Sequence, residues 1–159
     1  MSVVVTYTAQ VKVVETLAVN TGSASATNRV VTHDQYDESG QYTGATSPPV
    51  TTVAEFLQAL TAGAATIDLR ALTGTNGGAV DGNGLKVQML RVKNLGANNL
   101  TLSEGASNGY AIGAGIVVPP GGHVQFFGAD GFPDIDATHK TIDLAGTGAQ
   151  TSEITIVMG

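Results

Sequence analysis

The stretch Val3–Val13, which reads Val-Val-Val-Thr-Tyr-Thr-Ala-Gln-Val-Lys-Val, decides the fold class of this chain. Apolar side chains occupy its odd-numbered positions, and polar side chains occupy the even-numbered positions from Thr6 to Lys12. A period of two places alternate side chains on opposite faces, so the pattern predicts a β-strand with one face to be covered. We predict that the following residues of that face form an interaction surface: Val3, Val5, Tyr7, Val11 and Val13.

The same apolar phase continues beyond this stretch. After Glu15 interrupts the phase, Leu17 and Val19 resume it. At about 3.3 Å per residue, a strand from Val3 to Val19 spans roughly 55 Å, whereas most strands have about 3–10 residues. Either the strand bends near Glu15, or it extends from its own body to lie against a neighbour. An extended edge is a common device for joining subunits, so we expect this edge to pair with another polypeptide.

The composition favours a single all-β body of ordinary size. Of 159 residues, 42% are apolar, 13% are charged and 21 are glycine. A domain of this length buries about 70% of its unfolded surface, which is enough for a packed core. Abundant Gly, Thr, Ala and Val suit strands joined by tight turns, whereas long helices favour Leu, Glu, Lys and Arg.

Charge, cysteine content and hydropathy exclude several classes of partner. The net charge is −6 and no basic stripe is present, so we expect no nucleic-acid partner. The chain has no cysteine, which excludes disulfides and thiolate metal sites. No apolar run reaches the roughly 20 residues of a membrane span, and the N-terminus lacks the pattern of a signal peptide. We therefore expect a soluble product that folds where it is made, with no membrane partner.

The chain divides at Pro48-Pro49 into an N-terminal strand and arm (1–47) and a β-sandwich body (48–159). Within the arm, small polar residues predict a loop over Asn20–Asn28, and Arg29–His33 is predicted to be a short strand. The segment Asp34–Gly44 is predicted to be an exposed turn or arm. The two prolines exclude a helix immediately before them.

One segment after the prolines has helical spacing. Val53, Phe56, Leu57 and Leu60 stand at i, i+3, i+4 and i+7. Thr52 precedes Glu55 by three residues, as in a capping box, and Gly63 is placed to end a helix. The sequence therefore predicts one short helix of about two turns, which we expect to close one end of a β-structure.

From Thr66 onward, short alternating segments separated by Gly-, Pro- and Asn-rich turns predict strands. The apolar phase that starts at Leu85 switches after Met89 to Leu90 and Val92, which predicts a bulge near Met89 or burial on both faces. Short strands at such spacing favour a β-sandwich, and a jelly roll is the preferred form.

A four-residue segment occurs twice in the body. Thr66-Ile67-Asp68-Leu69 recurs as Thr141-Ile142-Asp143-Leu144, and each copy precedes a turn rich in Gly and Thr. Four residues are too few to establish a duplicated unit, so we interpret the echo as convergent strand-to-turn chemistry.

Residues able to carry chemistry are few and scattered. His33, His123 and His139 do not stand at metal-ligand spacing. The acidic segments Asp81–Gly84 and Asp130–Asp136 are interpreted as solvated turns, with a calcium loop as the weaker alternative. No nucleophile elbow is present. We therefore predict a protein that is not an enzyme and that has no cofactor and no metal.

Five segments of the body carry a resemblance to known proteins: Leu60–Leu69, Leu72–Gly77, Gly84–Gln88, Gly105–Tyr110 and Lys140–Gly146. They are similar to a group of small virion structural proteins from tailed bacteriophages, and the resemblance covers residues 60–159 with no catalytic signature. It implies a β-sandwich virion component that decorates and stabilises the capsid, as a cement protein does. The implied partners are the major capsid protein or another virion protein and further copies of the chain, in the form of a trimer. The implied location is the virion, and the resemblance fixes no individual contact residue.

Two other functions stay open at this point. The chain is alternatively a component of the phage tail or of a head fibre. It is alternatively a carbohydrate-binding or adhesion module, since jelly rolls are common in such modules. Three tyrosines predicted to lie in loops favour that second alternative: Tyr36, Tyr42 and Tyr110. The absence of Trp counts against it.

Overall fold

A computed structural model describes residues 3–17, 29–32, 36–128 and 130–159 of the chain. These residues form strands and turns only, and they contain no helix that is long and apolar enough to cross a membrane. They divide into two compact units. One unit comprises Val3 and Val4 together with Tyr42–Gly159, and the other comprises the described part of Val5–Gln41.

The N-terminal strands form two two-stranded sheets. The strands are β1 (Val4–Val11), β2 (Val14–Leu17), β3 (Arg29–Thr32) and β4 (Tyr36–Thr43), and the β2–β3 pair lies between β1 and β4 in the sequence. Strand β1 lies beside β4, and β2 pairs with β3 in antiparallel register, with Glu15 opposite Val31. We call these four strands the ribbon. The predicted long strand is therefore interrupted at Lys12 and Val13, before Glu15, and the predicted loop at Asn20–Asn28 lies outside the described residues.

The segment Asp34–Gly44, predicted to be an exposed turn or arm, is not a turn, because most of it is strand β4. Gly40 lies in this strand, and the ring of Tyr7 lies across it. A Cβ atom at Gly40 would be 2.6 Å from the Tyr7 hydroxyl oxygen. An aromatic side chain that covers a strand glycine in this way replaces the packing that the glycine cannot supply. The tertiary contact thus overrides the local turn signal.

The described residues of the body form ten strands. They are β5 (Thr52–Ala59), β6 (Ala64–Asp68), β7 (Leu72–Thr73), β8 (Ala79–Val80), β9 (Val87–Asn94), β10 (Leu100–Glu104), β11 (Ile116–Val118), β12 (His123–Phe127), β13 (Thr141–Ala145) and β14 (Thr151–Met158). Eight of them form two antiparallel sheets, in the orders β12-β9-β14-β5 and β11-β10-β13-β6. Strands β7 and β8 form a small hairpin of their own.

One hydrophobic core joins the two sheets of the body. Ile154 and Ile156 of the first sheet and Leu102 and Leu144 of the second are buried in the same cluster. Alternate residues of these strands point into that cluster, as a period of two requires. The chain is therefore all-β, and its two-sheet arrangement is consistent with a β-sandwich.

Strand pairing in the body is nested along the chain. The first body strand, β5, pairs with the last, β14, and β6 pairs with β13. Within these, β9 pairs with β12 and β10 pairs with β11. The strands of the first half of the body therefore pair, in reverse order, with those of the second half. These strand pairs are divided between the two sheets.

The predicted short helix over Val53–Leu60 is wrong, because Thr52–Ala59 is strand β5. Ala54 and Phe56 point inward, whereas Glu55 and Leu57 are exposed, which is a period of two. Apolar residues at i, i+3 and i+4 are compatible with a strand if one of them is exposed to solvent, as Leu57 is here. A two-turn helix is marginal by itself, whereas the strand gains an eight-residue ladder with β14. Gly63 lies in the following turn with a φ of 85°, rather than at the end of a helix.

The bulge predicted near Met89 is confirmed. Val157 of β14 lies opposite Met89 and Met158 lies opposite Val87, so Gln88 is the extra residue of β9. The first four residues of β9 are also buried on both faces. Gln88 is fully buried, and its Nε2 donates to the carbonyl oxygen of Pro49 at 3.0 Å, which ties the chain before β5 to the core.

The two copies of the repeated segment are neighbours in one sheet. Ile67 of β6 lies directly opposite Ile142 of β13, and Thr66 lies opposite Asp143. The Thr66 hydroxyl donates to the Asp143 carboxylate, with 2.6 Å between the oxygens. Because the strands are antiparallel, similar residues face each other about a local two-fold axis. The echo in the sequence therefore corresponds to a cross-strand pair.

Candidate assembly surface

The structure places the five predicted interface residues on or beside β1. Val5, Tyr7 and Val11 lie in β1, Val3 precedes it, and Val13 lies between β1 and β2. Val3, Val5 and Tyr7 are half-buried, whereas Val11 and Val13 are 58% and 49% exposed. The predicted apolar face is thus partly covered at its start and open at its end.

Exposed apolar side chains concentrate on the ribbon. Among the described residues, eight large hydrophobic side chains are exposed, and five of them belong to the segment 4–30. The five are Val4, Val11, Val13, Val14 and Val30. Single exposed apolar residues are ordinary on a protein surface, but several of them within a few neighbouring strands indicate a candidate interaction site. The ribbon is therefore the best candidate for a surface that another polypeptide covers.

Strands β2 and β3 present one face made only of β-branched residues. Val14 lies opposite Thr32, and Thr16 lies opposite Val30, so these four side chains point the same way. All four are exposed. The sequence analysis did not predict this face, because it considered the apolar residues at odd-numbered positions. Val14 stands at an even-numbered position. The run Arg29–Thr32, with its consecutive valines, was the signal that could have identified it.

Polar contacts hold β1 and β4 together. The Gln10 side chain donates to the Asp37 carboxylate, and the Gln41 side chain donates to the Thr6 hydroxyl, each over 3.3 Å. Such exposed bonds contribute little to stability. A two-stranded ribbon is marginally stable alone in water, and three strands or a packed face are needed for stability. The described residues of the ribbon thus favour strands, but none of them is a buried core residue.

The acidic segments of the body form ordinary turn and ion-pair contacts. Asp81 accepts a hydrogen bond from the Asn83 amide over 2.9 Å, which closes a turn. Asp130 and Asp134 lie 2.5 Å and 3.8 Å from the Lys86 ammonium nitrogen. The hydrogen bond to Asp130 is the main cause that raises the pKa of Lys86. The two groups of carboxylates therefore serve different local contacts.

Asp136 forms a separate capped turn. Its Oδ1 accepts hydrogen bonds from the Thr138 amide at 2.6 Å and the His139 amide at 2.8 Å. These bonds, led by those from Thr138, hold the pKa of Asp136 well below its usual range. His123 is an exposed residue of β12, and His33 lies outside the described residues. Within the described ranges, no three His, Asp or Glu side chains are grouped so that they could hold a metal ion.

Tyr110 lies in the loop between β10 and β11, as predicted, but its side chain is fully buried in the core and is not exposed to a ligand. The Tyr110 hydroxyl accepts a hydrogen bond from the Val87 amide at 3.0 Å and donates to the Pro133 carbonyl at 2.8 Å. Burial raises the pKa of this phenol to about 12. Tyr36 and Tyr42 lie in strand β4 rather than in a loop. Tyr110 therefore links three segments of the body instead of offering a surface to a ligand.

No known protein family, curated protein sequence or solved structure matches the chain.

Proposed function

We propose that this chain is a non-enzymatic structural protein of a tailed bacteriophage, which decorates the capsid and stabilises it through contacts of the ribbon. The observation that carries the proposal is the concentration of exposed valines on the ribbon, above all Val14 and Val30, which are 54% and 63% exposed. The assignment to a virion rests on the sequence resemblance over residues 60–159.

We further infer that the body is a jelly roll. The inference is supported by the nested pairing of β5 with β14, β6 with β13, β9 with β12, and β10 with β11 across two four-stranded sheets. Jelly rolls of eight strands occur in viral capsid domains and in lectins. The strand order is thus compatible with a virion protein and also with a lectin. The candidate assembly surface is the feature that has to distinguish these two functions.

The ribbon supplies the energetic reason for attachment. Complete burial of a valine side chain contributes about 1.5–3 kcal/mol, so a valine that is about half exposed has roughly 1 kcal/mol still to gain. Val14 and Val30 share one face and would be covered together. Repetition of such modest contacts over a symmetric shell converts them into a stable attachment. Attachment through the ribbon therefore needs no single strong contact.

Charge substitution on the shared valine face tests the proposal. The full-length double variant Val14→Lys, Val30→Lys is compared with Val117→Lys, whose side chain is 55% exposed on β11 of the body. Each protein is sedimented with purified expanded shells of the phage that encodes it. We expect the ribbon variant to bind about thirtyfold more weakly, since two contacts of roughly 1 kcal/mol each correspond to that factor. The Val117 variant is expected to bind as the wild type does.

Three outcomes contradict the proposal. If the wild-type protein does not sediment with shells at micromolar concentration, the capsid is excluded as its partner. If the two variants bind equally, the ribbon is excluded as the contact surface. Antibody label that electron microscopy finds on tails or fibres assigns the protein to that part of the virion. Circular dichroism of both variants establishes that the body is folded in each comparison.

A further inference from the structure

The dipeptide Asn-Gly occurs three times in the chain, at Asn76, Asn83 and Asn108. In such a pair, the backbone nitrogen of the glycine can attack the side-chain carboxamide of the asparagine, because glycine has no Cβ to hinder the approach. All three asparagines lie in the body and are exposed. Exposure to water therefore does not distinguish them, and their hydrogen bonds decide which of them is able to react.

Hydrogen bonds restrain the attacking nitrogen in two of the three pairs. The Gly77 amide donates to the Gly74 carbonyl at 2.8 Å, and the Gly84 amide donates to the Ile135 carbonyl at 2.8 Å. The side chain of Asn76 is restrained as well, because its Oδ1 accepts a hydrogen bond from a backbone amide at 3.0 Å. These bonds must open before the nitrogen can attack, so the native fold protects both pairs.

The pair Asn108-Gly109 has neither restraint. Among the described residues, no acceptor bonds to the Gly109 amide and no partner bonds to the Asn108 side chain. The Asn108 carbonyl oxygen accepts hydrogen bonds from the Lys140 amide at 2.8 Å and from the Thr141 amide at 2.9 Å. Such bonds polarise the peptide group between residues 108 and 109 and ease the loss of the Gly109 proton. The nitrogen of this pair is therefore both accessible and activated.

The backbone of the loop between β10 and β11 requires these two residues. Asn108 has a φ of 53°, in the left-handed region, which asparagine enters more readily than most residues do. A Cβ atom at Gly109 would be 2.4 Å from the Gly105 carbonyl oxygen, so this position requires glycine. The geometry of the loop therefore selects Asn and Gly, and a reactive pair is the chemical consequence.

We propose that Asn108 is the site at which the folded chain deamidates spontaneously, and that the isoaspartate formed there destabilises the loop that carries Tyr110. The proposal is independent of the proposed function. The Gly109 nitrogen loses its proton and forms a bond to Cγ of Asn108. The bond from Cγ to the side-chain nitrogen breaks, and this nitrogen leaves with the proton as ammonia. Water then opens the cyclic imide at either carbonyl, which gives aspartate or isoaspartate without an oxidant or reductant.

The two products differ in their effect on the loop. In isoaspartate the main chain runs through the former side chain, so it gains one carbon atom, and the carbonyl group that accepts two backbone amides becomes a free carboxylate. Tyr110 follows directly after the altered pair, and its buried hydroxyl bonds to the Val87 amide and the Pro133 carbonyl. Isoaspartate therefore displaces a residue that links segments of the core, whereas aspartate adds only a charge at an exposed position.

Peptide mapping by mass spectrometry tests the selectivity. Folded wild-type chain and chain unfolded in concentrated urea are incubated in the same mildly alkaline buffer, and deamidation is followed at each pair. In the folded chain we expect Asn108 to react at least about tenfold faster than Asn76 and Asn83, since the loss of a hydrogen bond raises their barrier by an amount of that order. In urea we expect similar rates at the three positions. Equal rates in the folded chain, or a faster reaction at Asn76 or Asn83, overturn the proposal.

Urea unfolding of the aged protein tests the structural consequence. Chromatographic fractions that contain isoaspartate at position 108 are identified by peptide mapping and compared with fresh Asn108→Asp, which has the same added charge and an unaltered main chain. We expect the isoaspartate fraction to unfold at a lower urea concentration, and equal midpoints overturn this part of the proposal. Asn108→Gln keeps the carboxamide, but its longer side chain forms the cyclic imide far more slowly. Its aged and fresh preparations are expected to have the same midpoint, and a loss of stability as fast as that of the wild type overturns the assignment to Asn108.

Discussion

Replacement of Tyr110 by Phe removes one oxygen atom from the hydrophobic core of the body. That oxygen accepts a hydrogen bond from the Val87 amide at 3.0 Å and donates one to the Pro133 carbonyl at 2.8 Å. The Val87 side is buried, so its amide has no access to water in the variant, whereas the Pro133 side is partly buried. A buried donor left unpaired costs about 1–3 kcal/mol, and the carbonyl adds less. We therefore expect the free energy of unfolding to fall by about 2–3 kcal/mol.

Alkaline pH provides an independent check on the same hydroxyl. Burial raises its pKa from 10.0 to about 12, so the folded state disfavours the phenolate. The corresponding stability is fully present below pH 10 and is lost as the pH rises towards 12, to the extent of about 3 kcal/mol. The wild type is expected to lose this part of its stability and the Phe variant is not. The difference between them should therefore shrink as the pH rises.

Urea unfolding followed by far-ultraviolet circular dichroism measures the difference at each pH. The phenolate absorbance of the wild type reports the titration itself. A variant within about 0.5 kcal/mol of the wild type at neutral pH contradicts the argument, since surface changes are of that size. A gap that stays constant through the alkaline range would show that the effect comes from packing rather than from the hydroxyl.

Two further predictions concern turns of the body. Asp136→Asn removes a carboxylate whose pKa is lowered in the fold by the Thr138 and His139 bonds, so the wild type is expected to lose stability as the pH falls below about 4 and the variant to show a flatter curve; parallel melting curves against pH contradict this. Gly82→Ala places a Cβ 2.7 Å from the Leu69 carbonyl oxygen and 2.9 Å from Ile135 Cδ1 in a buried site, which is expected to cost about 1–3 kcal/mol. Gly131→Ala, with open space around it, is the control, and equal unfolding midpoints for the two variants refute the prediction.

The strand content of the chain was predictable because a period of two is a local property. The phase switch after Met89 identified the bulge in β9, since an extra residue reverses every side chain beyond it. The spacing of Val53, Phe56 and Leu57 led to the wrong prediction of a helix, because over a short segment it is compatible with the helical period of 3.6 and with the strand period of two. Only the pairing of β5 with β14 decides between them, and that contact joins residues about a hundred positions apart.

The candidate surface was predictable only in part, because it too depends on contacts between residues that are distant in the sequence. The valines of β1 stand out along the sequence, but exposure depends on what the fold places over each face. Val5 and Tyr7 are half-buried, whereas Val14 and Val30, which no periodicity distinguishes, are exposed. Likewise, nothing in the sequence around Tyr110 shows whether a tyrosine in this loop is exposed or buried. The segments it links, near Val87 and Pro133, are each 23 residues away.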